Sequence, residues 1–275
     1  MFIRKVGDLY MCSVKINDYF YEDYRIADFY DDQYGMVKHD IPFWLNITKD
    51  YQDVLEIACG TGRITIPLLE SGKNVHAVDY SNEMLTILDE KIKNKYPQFK
   101  GNIVIENQDM RYLELNKKFD MIIITSNSLN HIETNDDLQK TFEAIKKHLN
   151  DDGLLVFDIL NPKFQFLLRE PEGVYAEEIL RHESSGKFFK TWENNRYSAA
   201  EQINYVTYYY QFCDKTGSSL SENITKMKLK VRLYFPQEID YIIQMSGFKI
   251  QSKFDWYDQR LWEGSTGEQI LVLKK

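Results

Sequence analysis

Between residues 53 and 158, five short apolar runs alternate with segments of helical periodicity, and few folds accept that rhythm. Val54-Leu55-Glu56-Ile57-Ala58 ends on the turn Gly60-Thr61-Gly62, and Ile64, Leu68 and Leu69 then share one helical stripe as far as Ser71-Gly72. Val75-His76-Ala77-Val78 stops at Asp79-Tyr80-Ser81, where Ser81 is placed to cap a helix carrying Leu85, Leu88 and Ile92 on one face. Ile103-Val104-Ile105 leads to Asp109. The run Phe119 to Ile124 is apolar apart from Asp120, as a strand buried on both faces requires. Leu138, Phe142, Ile145 and Leu149 give another helix before the strand Gly153 to Asp158. Strands alternating with helices imply right-handed crossovers, and hence a doubly wound, mostly parallel α/β sheet.

The flanks read differently. Residues 17–45 mix aromatic with acidic side chains, and Ile26, Phe29 and Tyr30 fit one helical stripe, so residues 1–45 are predicted to form an N-terminal helical cap. Residues 1–16 carry no readable pattern. Pro67 falls inside the first predicted helix, where it removes a hydrogen bond and predicts a kink. After Asn161-Pro162, Met227 to Leu233 alternates strictly, and Phe188 to Tyr197 and Ile203 to Cys213 read as strands parted by polar turns. Residues 165–235 are therefore an antiparallel β insertion. Pro236 opens a helix running through Met245 and ended by Gly247, and strands at 248–254 and 269–273 close the chain. Residues 46–164 and 236–275 form the α/β domain.

Net charge is −8, from 42 acidic and 34 basic residues, and the lysine clusters (Lys91, Lys93, Lys95; Lys146, Lys147) are short. A polynucleotide partner draws much of its affinity from phosphate neutralisation, so this balance points away from nucleic acid. Cys12, Cys59 and Cys213 lie far apart, and the five histidines contain no His-x-x-x-His pair, so no metal site is expected. Met1 to Asp8 lacks the apolar run of a leader, and no stretch has the length and apolarity of a bilayer span. The expectation is a soluble cytoplasmic protein without a membrane partner.

Three features stand at three successive strand ends. A glycine turn lets a ligand approach the backbone, and the helix behind it offers free N–H groups. Asp79 ends the second strand, where a carboxylate can accept both hydroxyls of a ribose. Asp109 follows the third, within reach of an adenine on the same edge. A nicotinamide dinucleotide fingerprint would want a glycine at position 65, and this chain has Thr65.

The turn Glu56-Ile57-Ala58-Cys59-Gly60-Thr61-Gly62-Arg63 instead resembles the first motif of class I S-adenosylmethionine-dependent methyltransferases. Val78-Asp79-Tyr80-Ser81-Asn82-Glu83-Met84-Leu85 resembles their second motif, Gln108-Asp109-Met110-Arg111 their third and Phe119-Asp120 through Asn127 their fourth. The likeness is specific over residues 50–160. It implies a seven-stranded sheet with a reversed hairpin at one edge, and S-adenosylmethionine as cofactor. The insertion is similar in kind to the β lids of small-molecule members.

The resemblance implies that Gly60 and Gly62 give backbone access to the cofactor's methionine part and that Glu56 and Ala58 shape the same end. It implies that Asp79 holds the ribose, that Tyr80 and Met84 bracket the adenine and that Asp109 with Met110 reads its polar edge. Ser126 then lies beside the methyl group. Core packing remains an equal reading of Met84. A sulfonium methyl is already activated, so the enzyme must chiefly align the acceptor and exclude water. His131 is the candidate general base, against an equal reading as a solvated loop histidine or a helix-capping contact. In the insertion, Val206, Tyr208, Tyr210 and Phe212 share a strand face and Phe188 and Trp192 fall on compatible spacing. Trp192, Tyr208 and Tyr210 are thus expected to meet a small-molecule acceptor, with core packing or a homodimer interface left open for that face. The reading is methyl transfer to a nitrogen or oxygen of a small molecule. RNA or protein methylation, and non-catalytic cofactor binding, stand as alternatives.

Overall fold

The computed structural model describes residues 16–20, 24–183 and 185–275. Residues 1–15 and 21–23 of the predicted cap, Cys12 and the segment read for a leader lie outside them. In chain order the elements are β1 (Ile16–Phe20), α1 (Tyr24–Tyr34), α2 (Ile41–Ile47), β2 (Asp53–Ile57), α3 (Thr65–Glu70), β3 (Asn74–Asp79) and α4 (Asn82–Asn94). Then follow β4 (Ile103–Asn107), β5 (Phe119–Ile124), α5 (Asn135–His148), β6 (Leu149–Leu160), α6 (Phe164–Leu167) and β7 (Tyr175–Arg181). β8 (Phe188–Ser198), β9 (Ile203–Cys213), β10 (Ile224–Arg232), α7 (Pro236–Met245), β11 (Lys249–Phe254) and β12 (Glu268–Lys274) complete the chain.

Seven strands form one sheet in the order β11-β12-β6-β5-β2-β3-β4. The pairs β2–β3, β2–β5, β3–β4 and β5–β6 are parallel, while β12 runs antiparallel to both its neighbours. Side chains alternate across a strand, so a central strand feeds two cores. In β5, Ile122 and Ile124 join Leu138, Phe142 and Ile145 of α5, with Ile239 and Ile243 of α7. Met121 and Ile123 join Leu68, Leu85, Leu88 and Trp44 on the opposite face. That two-sided demand is why the run reads as continuously apolar. Ser81 caps α4, its Oγ accepting the Met84 N–H at 3.2 Å. Pro67 falls in the first turn of α3, which begins only at Thr65, so it takes a position whose N–H would lack an intrahelical partner anyway.

A second sheet has the order β1-β10-β9-β8-β7. Residues 16–20, predicted as part of a helical cap, are a strand paired in parallel with the free edge of β10. Their partner lies two hundred residues away, which no local periodicity records. α1 packs on this sheet through Phe29, whose ring stacks on Tyr210 at 4.9 Å and meets Phe189 edge-on at 5.0 Å. The insertion is thus completed by a strand and a helix from the other end of the chain. Asn130 ties it to the main sheet, donating to the Arg232 carbonyl at 2.5 Å and accepting from the Leu160 N–H at 3.0 Å. Phe29→Ala should cost about 3 kcal/mol in urea unfolding and raise hydrogen exchange in α1 well before the seven-stranded sheet is affected.

Candidate active site

The turn after β2 is built from left-handed backbone: Ala58 has φ 58°, Gly60 56° and Gly62 88°. The two glycines do different things. A Cβ on Gly60 would meet nothing within 4 Å, so that face of the turn is open to a ligand. A Cβ on Gly62 would lie 2.4 Å from Leu88 Cδ1, so this glycine lets α4 pack against the turn. Asp79 ties the turn to the end of β3, its carboxylate accepting the Gly60 N–H at 2.7 Å and the Ser81 N–H at 2.8 Å. Burial raises the Asp79 pKa, and backbone donors from Ser81, Gly60 and Tyr80 oppose that shift. A carboxylate has about four acceptor positions, so lone pairs remain for a diol.

Glu56 lies beneath the turn, 1% exposed. Its Oε2 accepts from Thr65 Oγ1 at 2.6 Å. Its Oε1 is buried with no hydrogen-bond partner among the described residues. Burial pushes this carboxyl up to about 8. The Thr65 that replaces a nucleotide-fold glycine therefore orients a buried acid.

Beyond β5, Ser126 (φ 61°) and Asn127 (φ 59°) form a second left-handed turn. Asp158 at the end of β6 holds it, accepting the Asn127 N–H at 2.8 Å, the Ser126 N–H at 3.2 Å and the Tyr257 hydroxyl at 2.6 Å. Burial lifts Asp158 to about 6 despite these donors. Arg63 bridges the two turns. Its guanidinium grips Asp40 with bonds of 2.7 and 2.6 Å and donates to Ser126 Oγ at 2.6 Å. Burial opposes the arginine's charge, and Asp40 more than restores it. Above them opens a pocket of about 360 Å³ lined by Tyr30, Tyr34, His39, His131, Tyr208 and Glu268, among others. α1 walls its near side, where Asp31 accepts from Thr61 Oγ1 at 2.6 Å and pairs with Lys91 at 2.7 Å.

Glu56, Ala58, Gly60 and Asp79 meet at the first turn. Tyr80 is 57% exposed beside it, whereas Met84 is 1% exposed, the burial that packing gives. Asp109 is engaged by Arg111, which donates to both its oxygens and, outweighing burial, lowers its pKa. Met110 packs partly buried against the α5 core. Ser126 and His131 line the pocket. His131 is solvent-accessible there, and the dense surrounding protein disfavours its charged form and lowers its pKa.

The acceptor residues separate. Tyr208 lines the pocket, but Tyr210 is 3% exposed, packed on Phe29 with its hydroxyl donating to Gln33 at 2.9 Å. Trp192 is on the other face altogether. The register sets Trp192 opposite Tyr209 and Glu193 opposite Tyr208, and directly opposed residues share a face. Phe188 pairs with Cys213 and follows Trp192 to the far side, while Phe189 takes the inward position. Trp192 stacks on Tyr209 at 5.0 Å, flanked by Lys190 and Lys226. The spacing was consistent within each strand, but the phase between strands is set by the turn. Sequence reasoning also missed Asp40, Arg63, Asp158, Tyr257 and Glu268. Asp158 carried the same signal as Asp79, a lone carboxylate ending an apolar strand.

Residues 54–153 match the methyltransferase domain family. A putative methyltransferase of Bacillus subtilis (strain 168) is 33% identical over 126 residues, covering 46% of this chain and 49% of that protein. A glycine/sarcosine N-methyltransferase of Aphanothece halophytica is 31% identical over 121 residues, 43% of this chain and 45% of its own. The chain thus spans about half the length of the curated relatives it matches. Among solved structures, an S-adenosylmethionine-dependent methyltransferase from Clostridium acetobutylicum superposes with a TM-score of 0.73 at 24% identity, covering 91% of this chain and 97% of that one. A sugar N-methyltransferase from Streptoalloteichus gives 0.68 at 15% identity, covering 100% and 99%. Residues 54–153 thus match a methyltransferase domain, and the likeness to the solved structures shows a shared fold.

The residues of this site fit S-adenosylmethionine. Glu56 offers an unpartnered buried oxygen suited to an ammonium, Gly60 an open face, and Asp79 spare lone pairs suited to a ribose. The buried Glu56 has a sign that can be measured. Its carboxyl ionises near 4.5 when unfolded and near 8 when folded, so between those values the folded chain keeps a proton that the unfolded chain has lost. Stability therefore falls as pH rises through that window. Glu56→Gln should flatten this slope and stabilise the free protein at pH 8 by about 1–3 kcal/mol in thermal denaturation, while weakening S-adenosylmethionine binding in calorimetry.

Proposed function

We propose that this protein transfers a methyl group from S-adenosylmethionine to a nitrogen or oxygen of a small molecule. The observation that carries the reading is the continuity of turn and pocket: Arg63, part of the glycine turn, also lines the 360 Å³ pocket and hydrogen-bonds Ser126 at its floor. That volume suits a small acceptor. When bound, the cofactor supplies an activated sulfonium methyl. Glu56, Gly60 and Asp79 would hold it, and Tyr30, Tyr34 and Tyr208 wall the acceptor side from water. Met227, Leu229 and Val231 of β10 add an apolar wall, so the insertion supplies acceptor specificity. His131, neutral because its pKa is lowered, can accept a proton or orient the acceptor.

The charge around the pocket supports a small acceptor over RNA. Asp40 and Glu268 line the pocket with Arg63, the one permanent cation among the described lining residues, and Asp158 adds its negative charge to the surroundings of Arg63. The lysines of β10 at Lys226, Lys228 and Lys230 alternate onto the face that carries Trp192 and Tyr209, away from the pocket. Cys59 and Cys213 are free, as the cytoplasm we infer would keep them. No described helix is long and apolar enough to cross a membrane.

S-adenosylmethionine and S-adenosylhomocysteine should bind in calorimetry and NAD should not. Charge-assisted hydrogen bonds contribute about 1.5–3 kcal/mol each, so Asp79→Ala should weaken binding by about tenfold or more; unchanged affinity would sink the ribose assignment. His131→Ala should lower turnover at constant cofactor affinity, and the limb of the wild-type pH–rate profile that disappears in this variant should lie on the acid side of pH 6.5, where a lowered histidine pKa places protonation.

A further inference from the structure

We propose that Glu268 is the acceptor anchor of this site, binding a protonated aliphatic amine and removing its proton so that the nitrogen lone pair is free. This rests on the methyl-transfer reading above and narrows its acceptor to amines.

Glu268 opens β12, the antiparallel strand beside β6, opposite Leu160. It lines the acceptor pocket. Its Oε2 is withdrawn from bulk solvent and has no hydrogen-bond partner among the described residues. The Asn127 side chain, in the turn whose N–H groups Asp158 fixes, lies close enough to favour the ionised carboxyl against its burial. An unpaired buried carboxyl oxygen costs free energy that only a donor can recover, and a cation recovers most.

The other charged groups facing the pocket are already committed. Arg63 is bidentate on Asp40, and Asp158 is taken up by Tyr257 and two backbone N–H groups. His39 stacks on Trp256 at 5.1 Å, and His131 resists protonation. Glu268 is the lining carboxyl with an oxygen to spare, in a setting where Asp40 and Asp158 add negative potential. An anionic acceptor would meet these carboxylates, and a neutral alcohol would gain little from them. Burial and the Asp158 charge push Glu268 up to about 8, so above that pH, where the free group is ionised, it takes a proton from an ammonium far more readily than an ordinary glutamate. The step balances: the N–H⁺ bond of R–NH₃⁺ breaks, the proton passes to Oε2, and R–NH₂ remains beside a neutral carboxyl.

The test measures binding of matched probes to the full chain loaded with S-adenosylhomocysteine: ethanolamine against ethylene glycol, glucosamine against glucose, cyclohexylamine against cyclohexanol. The wild type should bind the amine of at least one pair about tenfold tighter, the size of one charge-assisted hydrogen bond. Glu268→Gln should erase that preference and leave S-adenosylhomocysteine affinity unchanged. Absence of an amine preference in every pair, or a preference that survives in Glu268→Gln, overturns the proposal. Failure of the wild type to bind S-adenosylhomocysteine overturns the methyl-transfer reading instead, so the two failures are distinct.

Discussion

The Asp79 carboxylate receives the Gly60 and Ser81 amides at 2.7 and 2.8 Å, and through them it holds the ends of two adjacent parallel strands in one conformation. Ala58 and Gly60 sit at positive φ, which costs strain for a residue with a side chain. That backbone persists because the loop after β3 clamps it. The clamp fixes the open face of Gly60, the start of α3 with Thr65 against Glu56, and Arg63 facing Ser126. Asp158 repeats the device three strands along, where its oxygens hold the left-handed Ser126 and Asn127. A buried acid at a strand end, clamping the turn of a neighbouring strand, is the working unit of this edge.

Carboxyls gather at that edge for a reason rooted in topology. Parallel strands deliver all their following loops to one side, so every strand-end side chain meets there. Glu56, Asp79, Asp158 and Glu268 come from four different strands. Placed together away from water, they repel one another and shift toward the protonated form. Such an arrangement is poor for the stability of the free chain and suited to binding a cation, so folding and ligand binding make opposite demands on the same atoms.

The α/β frame was legible because its signals are local. A strand buried on both faces must be apolar throughout, and helix stripes such as Leu85, Leu88 and Ile92 lie within one element. The first turn was legible for the same reason: glycines, Glu56 and Asp79 stand at fixed offsets from strand ends. What escaped was relational. Trp192 was assigned to the pocket from its spacing within one strand, but the hairpin register turns it to the opposite face. Residues 16–20 looked like part of a helical segment because their partner, β10, is remote in sequence. Glu268 opens β12 just before its apolar run and Asp40 just precedes α2, neither within a local pattern, and only the folded chain brings them to the pocket that Arg63 lines.

Phe29 sits in the aromatic core of the insertion sheet, while Asp31, two residues on, bonds the glycine turn. Together with β1 on the edge of β10, this makes the insertion a discontinuous module in which β1 and α1 belong structurally with β7, β8, β9 and β10. An engineer who grafted 165–235 alone onto a relative to change its acceptor would transplant a sheet lacking its edge strand and its aromatic plug. Acceptor exchange in this architecture calls for two grafted segments per chain, and recombination that respects only the visible insertion boundaries should yield mostly unfolded chimaeras.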